Sequence, residues 1–323
     1  MAASGCSEKK AAGQRPTAPP VTGPSTTTLP PAYPLTGRPV GEPNNANRGV
    51  VSVKIDNASA ARPQAGIGQA DLVYEEFTEG ITRFIVVFHS TDAEVIGPVR
   101  SVRPADPAIV TPLGGLLAFS GGSAPAVELA TSSPLATVTE GDTEILRRRS
   151  GRFAPHNLYT SSAALYSRVP GEAKAPPKFA EFLPPGRDFT AAGATPFTHL
   201  TLVPAPFVTA DYDWYADSRT WKRATDGAPH MLEDGGQIEP SNVIVQYTPY
   251  PVWDADSAVQ NPEVIGSGDA LVFAAGVQVT ATWSKPTPDA VTTFTDAAGA
   301  PIVLPPGQTW VHLVPPGTPI AAT

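Results

Sequence analysis

Asp56 closes the apolar run at 49–57, Glu75 and Glu76 end a second run at 71–76, and Arg83 lies near the start of a third at 81–89. Arg100, Ser101 and Arg103 follow soon after, and Glu79 sits in the connection between the second and third runs. Carboxylates held close to guanidinium groups can serve as a general acid and base. They can also form an anion clamp, because the rigid fork of arginine matches a carboxylate or phosphate. The competing reading is a structural ion network, since buried arginine and glutamate persist when paired and many such networks do no chemistry. Alternation along a strand puts Tyr74 and Glu76 on one face and Asp71, Val73 and Glu75 on the other, so one glutamate is expected to face the neighbouring elements. Of the five histidines, His156 lies in a proline-bounded loop beside Asn157, whereas His89 ends an apolar strand and reads as a core or edge residue. Asp56, Glu75, Glu76 and His156 are thus the candidate acids and bases. The candidate ligand-binding set is Lys54, Asp56, Asn57, Arg62, Gln64, Glu76, Glu79, Arg83, Arg100, Ser101, Arg103, His156 and Asn157.

The elements that carry these residues are legible as short β-branched runs. Strands are predicted over 49–57, 71–76, 81–89 and 116–120, with a hairpin connection at Phe77-Thr78-Glu79-Gly80 and a short helix over 105–113. Pro176, Pro177, Pro184, Pro185 and Pro196 mark 171–196 as the best candidate domain boundary. Beyond it, strands are predicted over 199–203, 213–223, 242–247, 270–273, 277–283 and 309–314, separated by Gly, Asp and Pro turns. The expected class is α+β: an N-terminal mixed α/β domain over 48–185, then a mostly antiparallel β domain over 197–318. With 38 prolines the helices should be short, because proline interrupts helix interiors and central strands alike.

Composition narrows the function. The net charge is −8, from 22 basic and 30 acidic residues, and no basic stripe is interleaved with aromatics, so nucleic acid is not expected as the main partner. Arg147, Arg148, Arg149 and Arg152 form one local basic cluster, read as a solvated loop. Apolar residues make up 41% of the chain, enough for a true core, yet no run approaches the roughly 20 residues needed to span a bilayer. Nucleotide-binding, zinc-protease, nucleophile-elbow and calcium-loop motifs are missing, so no cofactor and no metal site are predicted. Gly121-Gly122-Ser123 is a flexible turn that could offer backbone N–H groups to an anion.

Cys6 is the single cysteine, and it ends Ala3-Ser4-Gly5-Cys6, which reads as the tail of a lipoprotein cleavage site. Residues 1–6 are accordingly expected to be the remnant of that signal, with Cys6 as lipid acceptor. Residues 7–47, rich in Pro, Thr, Ala and Gly, cannot bury enough surface to offset their ordering entropy and read as a disordered tether.

Several strings together resemble the YerB-like lipoprotein family of bacteria, a domain of unknown function (3048) with a separate C-terminal partner domain. They include Pro34-Leu35-Thr36-Gly37, Val53-Lys54-Ile55-Asp56-Asn57, Ala61-Arg62-Pro63-Gln64-Ala65-Gly66, Gln69-Ala70-Asp71-Leu72-Val73-Tyr74-Glu75-Glu76, Gly97-Pro98-Val99-Arg100-Ser101-Val102-Arg103-Pro104 and Pro155-His156-Asn157-Leu158-Tyr159. In the second half the match continues through Arg223, Gly227-Ala228-Pro229-His230, Thr282-Trp283-Ser284-Lys285 and Pro306-Gly307-Gln308-Thr309-Trp310. The resemblance implies a lipid-anchored protein on the extracytoplasmic face of the cell membrane, and it brings no established reaction.

Three functions follow as expectations. The first is an envelope protein that binds a polar, anionic or carbohydrate ligand in an Arg/Glu/Asp-rich groove of the N-terminal domain. The second is an envelope-glycan hydrolase that uses paired carboxylates. The third is a scaffold lipoprotein whose second half, with Trp214, Trp221, Trp253, Trp283 and Trp310, contacts a protein partner. The candidate partners are therefore the membrane, through lipid on Cys6, and a cell-wall polymer or an envelope protein.

Overall fold

The computed structural model describes residues 1–3, 5, 31–41, 44–254 and 259–322. Cys6 and residues 7–30 of the expected tether lie outside the described residues, and Met1–Pro30 forms a unit of its own. Everything below concerns Pro31–Thr323, a single compact unit.

Its framework is a mixed sheet. In the first half the strands are β1 (Val51–Asp56), β2 (Leu72–Thr78), β3 (Ile81–Phe88), β4 (Leu116–Ala118) and β5 (Ala136–Val138). In the second half they are β6 (His199–Ala205), β7 (Val208–Tyr215), β8 (Thr220–Thr225), β9 (Asn242–Tyr247), β10 (Gly266–Ala274), β11 (Val277–Lys285), β12 (Thr293–Asp296), β13 (Thr309–Val314) and β14 (Ile320–Ala322). The large sheet runs β12-β11-β10-β9-β13-β2-β3-β1-β4-β5, with Thr195–Pro196 added against β11. Neighbours pair antiparallel except β9–β13, β13–β2, β1–β4 and β4–β5, which are parallel. A second, antiparallel sheet orders β8-β7-β6-β14. Strand residues far outnumber helical ones: α1 (Asp106–Val110), α2 (Ala124–Thr131) and α3 (Ser162–Tyr166) are the α-helices among the described residues. The expected α+β class is compatible with this content.

The halves expected as domains over 48–185 and 197–318 share one sheet, because β13 inserts between β9 and β2. The proline-rich stretch at 171–196 crosses between them within one compact unit. The tether expected over 7–47 also ends earlier: Tyr33, Leu35 and Thr36 are buried, and Leu35 joins the core beside Leu72 and Ile85. A few large side chains suffice to dock a segment whose average composition reads as disordered. The strand expected over 213–223 is a hairpin, because β7 stops at Tyr215 and β8 starts at Thr220. The predicted turn after β2 is present, with Glu79 at φ 51° and Gly80 at φ 87°, the pair of positive values of a tight hairpin whose twist matches its strands.

Both faces of the large sheet are covered. Val51, Val53 and Ile55 of β1 pack with Phe84, Val86 and Trp310 on one face. Leu72, Tyr74, Ile85, Val87 and Leu117 pack under α1 and α2 on the other. The second sheet sends Leu200, Leu202, Tyr212 and Trp221 against Val243, Val245 and Phe273. Because every residue of β1 is buried, its polar members Lys54 and Asp56 must find partners inside the protein.

Candidate functional site

β1 and β2 run parallel in space on either side of β3, so Asp56 and Glu76 reach the same end of the sheet. The register places both Asp56 and Glu76 opposite Arg83. These three side chains line up on the face beneath α1, while Glu75 points to the opposite face, as strand alternation requires. The two adjacent glutamates therefore live in unrelated surroundings.

On the α1 face, Lys54 is fully buried and donates to Glu76 and, at 2.8 Å, to Asp106 at the start of α1. One ammonium thus serves two carboxylates. Burial raises the Glu76 carboxyl and Asp106 raises it further, Lys54 offsets only part, and the group is lifted to about 7. Its Oε2 has no hydrogen-bond partner.

On the opposite face, Arg223 grips Glu75 with two N–H groups, at 2.8 and 3.1 Å, and His312 Nδ1 lies 3.0 Å from Glu75 Oε2. Burial works to raise this carboxyl, but Arg223 and His312 together hold it below the usual carboxylate range. From Arg223 a chain of hydrogen bonds runs through both halves and returns to Glu75. Arg223 Nε donates to Thr225 (3.0 Å), which donates to His230 Nδ1 (2.8 Å), and His230 Nε2–H donates to Gln64 Oε1 (2.8 Å). Gln64 Nε2 then donates to Asn57 (3.3 Å), Asn57 to Thr82 (2.8 Å), and Thr82 to Glu75 (2.6 Å). The direction of these bonds requires neutral His230, in accord with burial and Arg223 holding its pKa well below the ordinary histidine value. Arg62 bonds Asn57 and, across to the second half, Asp226 at 2.5 Å. Asn57, Arg62 and Gln64, predicted as ligand contacts, are engaged in this interlock.

The open end of the cluster is different. Asp56 is 1% exposed, and its Oδ2 lies 2.7 Å from His156 Nδ1 and 3.1 Å from Arg100 Nε. The arginine contact is ionic, since its N–H is not aimed at the oxygen. His156 and Arg100 are 23% and 24% exposed and form the rim. With Nδ1–H held by Asp56, His156 presents Nε2 outward. Behind the rim, Arg103 donates to Thr78 at 2.9 Å and to Glu79 at 2.7 Å, and Arg83 reaches Ser101 O at 3.3 Å and Glu79 at 3.4 Å. Burial lowers the Arg83 pKa to about 10, and the adjacent Arg103 and Arg100 contribute in the same direction. Three guanidinium groups face two carboxylates here, and the Nε atoms of both Arg83 and Arg100 lack an acceptor.

The sequence-derived set therefore divides. Asp56, Glu79, Arg83, Arg100, Ser101, Arg103 and His156 come together at the open end of the sheet. Lys54 and Glu76 are sealed behind them. Asn157 accepts from Arg148 at 2.6 Å and donates to the carbonyls of Arg149 and Arg152, which shapes the loop that carries His156. The basic cluster is largely paired: Arg149 meets Glu233 at 2.9 Å, and Arg152 holds the carbonyls of Ala61 and Pro63. Sequence reasoning missed Asp106, Arg223, His230 and His312. A usable signal existed for Arg223, since alternation along β8 aligns it with the buried Trp221 and Thr225.

Comparison with known proteins agrees with this architecture. Residues 35–175 match the model described as "Protein of unknown function (DUF3048) N-terminal domain", and residues 203–311 match its C-terminal domain. The chain is 28% identical over 293 residues to "Putative lipoprotein YerB" of Bacillus subtilis (strain 168), covering 87% of this chain and 86% of the relative. The crystal structure of the YerB protein from Bacillus subtilis superposes with a TM-score of 0.78 at 23% identity, over 90% of this chain and 99% of that one, which establishes a shared fold. With both halves matched in order, the chain belongs to the YerB-like family built from the N- and C-terminal DUF3048 domains.

Proposed function

We propose that this is a lipid-anchored envelope protein that binds an anionic ligand, phosphate- or carboxylate-bearing, at the arginine-lined end of β1. The observation that carries this reading is the excess of guanidinium over carboxylate around Asp56, with the Nε atoms of Arg83 and Arg100 left without acceptors. Arg100 is 24% exposed on the rim beside His156, and an anion there would meet its outward N–H groups with charge-assisted bonds. Calorimetric titration with a poly(glycerol phosphate) fragment tests it. Arg100→Ala should weaken binding at least tenfold, the loss of one to two charge-assisted hydrogen bonds, while a neutral glycan of equal length should not bind. Equal retention by wild type and variant would remove the role of this end of the sheet.

The paired-carboxylate hydrolase has less support. Glu75 lies on the other face in the grip of Arg223, and Glu76 is closed off beside Lys54, so neither shares an open cleft with Asp56. The scaffold reading loses much of its aromatic surface, because Trp221, Trp283 and Trp310 are buried in the core. The anchor rests on the small residues ahead of Cys6 and on the lipoprotein description of the Bacillus relative. Expressed behind a lipoprotein signal peptide, Cys6→Ala should move the protein from the membrane fraction to the soluble fraction. Unchanged membrane retention would refute acylation at this residue.

A further inference from the structure

A cavity far in sequence from Asp56 occupies about 380 Å³ where the segment around Pro184 meets the hairpin between β7 and β8. That is within the range of small-molecule sites, roughly 300–1,000 Å³. Trp214 lines it, together with Arg187, Asp188, Ser218 and Arg219.

The indole is held in place. Trp214 pairs across the hairpin with the buried Trp221, ring centroids 5.2 Å apart, which supports it from the core side. On another side it lies against Gly276, where a Cβ would come within 2.7 Å of the indole nitrogen, so only glycine leaves room for the ring; the φ of 76° there favours glycine as well. Trp214 itself is only half-buried. Around it the charged groups are uncommitted: Arg187, Arg219 and Asp188 are exposed, and none makes an ion pair among the described residues. Arg219 adopts φ 55° in the hairpin turn, a conformation that side chains other than Gly, Asn and Asp rarely take.

We propose that this cavity is a binding site for an acidic sugar, a pyranose bearing a carboxylate. A fixed indole offers a flat amphipathic surface for the C–H face of a sugar ring. Arg187 and Arg219 supply forks matched to a carboxylate, and Asp188 and Ser218 supply acceptors for ring hydroxyls. Two cations against one carboxylate select an anionic sugar over a neutral one. The site is independent of the Arg100–His156 rim, because none of its lining residues belongs to that cluster.

Fluorescence titration of the full chain decides the matter, with three disaccharide probes. N-acetylglucosaminyl-N-acetylmuramic acid carries its carboxylate on a lactyl ether, a glucuronic acid disaccharide carries it on the ring, and chitobiose is neutral. At least one acidic probe should bind tenfold or more tighter than chitobiose, and the one that does identifies the source of the carboxylate. The doubly substituted Arg187→Ala/Arg219→Ala chain, altered only at exposed positions, should bind that probe at least tenfold more weakly. Trp214→Ala should abolish binding. Equal binding of acidic and neutral probes, no binding of any, or full affinity in the double-arginine variant would overturn the proposal.

Discussion

Arg223→Met should lower the stability of the folded chain by about 3–5 kcal/mol, the cost of leaving one member of a fully buried ion pair without its partner. Glu75 would remain in a wall of Phe84 and Trp310, with only Thr82 and His312 to hold it. The same substitution opens the hydrogen-bond chain at its first donor, so Thr225 and His230 lose the group that fixes their direction. Urea unfolding at pH 7 reads the effect as a lower midpoint at an unchanged slope. Glu75→Leu combined with Arg223→Met should recover much of the loss, because burying two apolar side chains is far cheaper than burying one unpaired charge. Two single losses that simply add in the double variant would show that the pair is not coupled. The pH dependence has a definite sign. The Glu75 carboxyl is depressed in the folded chain, so its contribution is complete above the ordinary value of 4.5 and is lost as pH falls through the lower folded value. Arg223→Met should erase this acid-side loss.

Lys54→Met is the second large effect, and its size should depend on pH in the opposite direction. Removing the ammonium leaves Glu76 and Asp106 facing each other in the interior, at a cost of about 3–5 kcal/mol at pH 8. At pH 5 the cost should be smaller, because Glu76 then carries a proton and only one charge is orphaned. In the wild type, Glu76 titrates near 7 when folded and near 4.5 when unfolded, so the folded state binds the extra proton between those values. Its contribution is therefore complete below 4.5 and is lost as pH rises towards about 7, by up to about 3 kcal/mol. Glu76→Gln should flatten this part of the curve. Midpoints measured from pH 4 to pH 8 that run parallel for wild type and Glu76→Gln would refute a raised Glu76. Adjacent glutamates thus respond oppositely to acid because strand alternation sends one to Arg223 and the other to Asp106.

Much of this was legible in local pattern. Alternation alone separated Glu75 from Glu76, and Glu79-Gly80 announced the hairpin that sets Glu76 opposite Arg83. Arg100, Arg103 and His156 were picked out by residue type and loop position, and the structure brings all three to the same end of the sheet. The partners that decide what each charge can do were not legible, because they come from distant segments. Gln64 meets His230 and Glu75 meets Arg223, pairs separated by 166 and 148 residues. No period within a strand encodes such a choice.

The sequence by itself determined most of the longer strands, the faces of their side chains, the candidate lipid acceptor and the concentration of charge around Asp56. Each follows from spacing of two residues along a strand or from the composition of a short segment. Tertiary structure alone decided that β13 would enter between β2 and β9 and fuse two sequence domains into one sheet. It likewise decided which buried charges are locked and which face solvent. The physical reason is that burial makes an unpaired charge intolerable but leaves open which segment supplies its partner, and only the packing of the whole chain makes that selection.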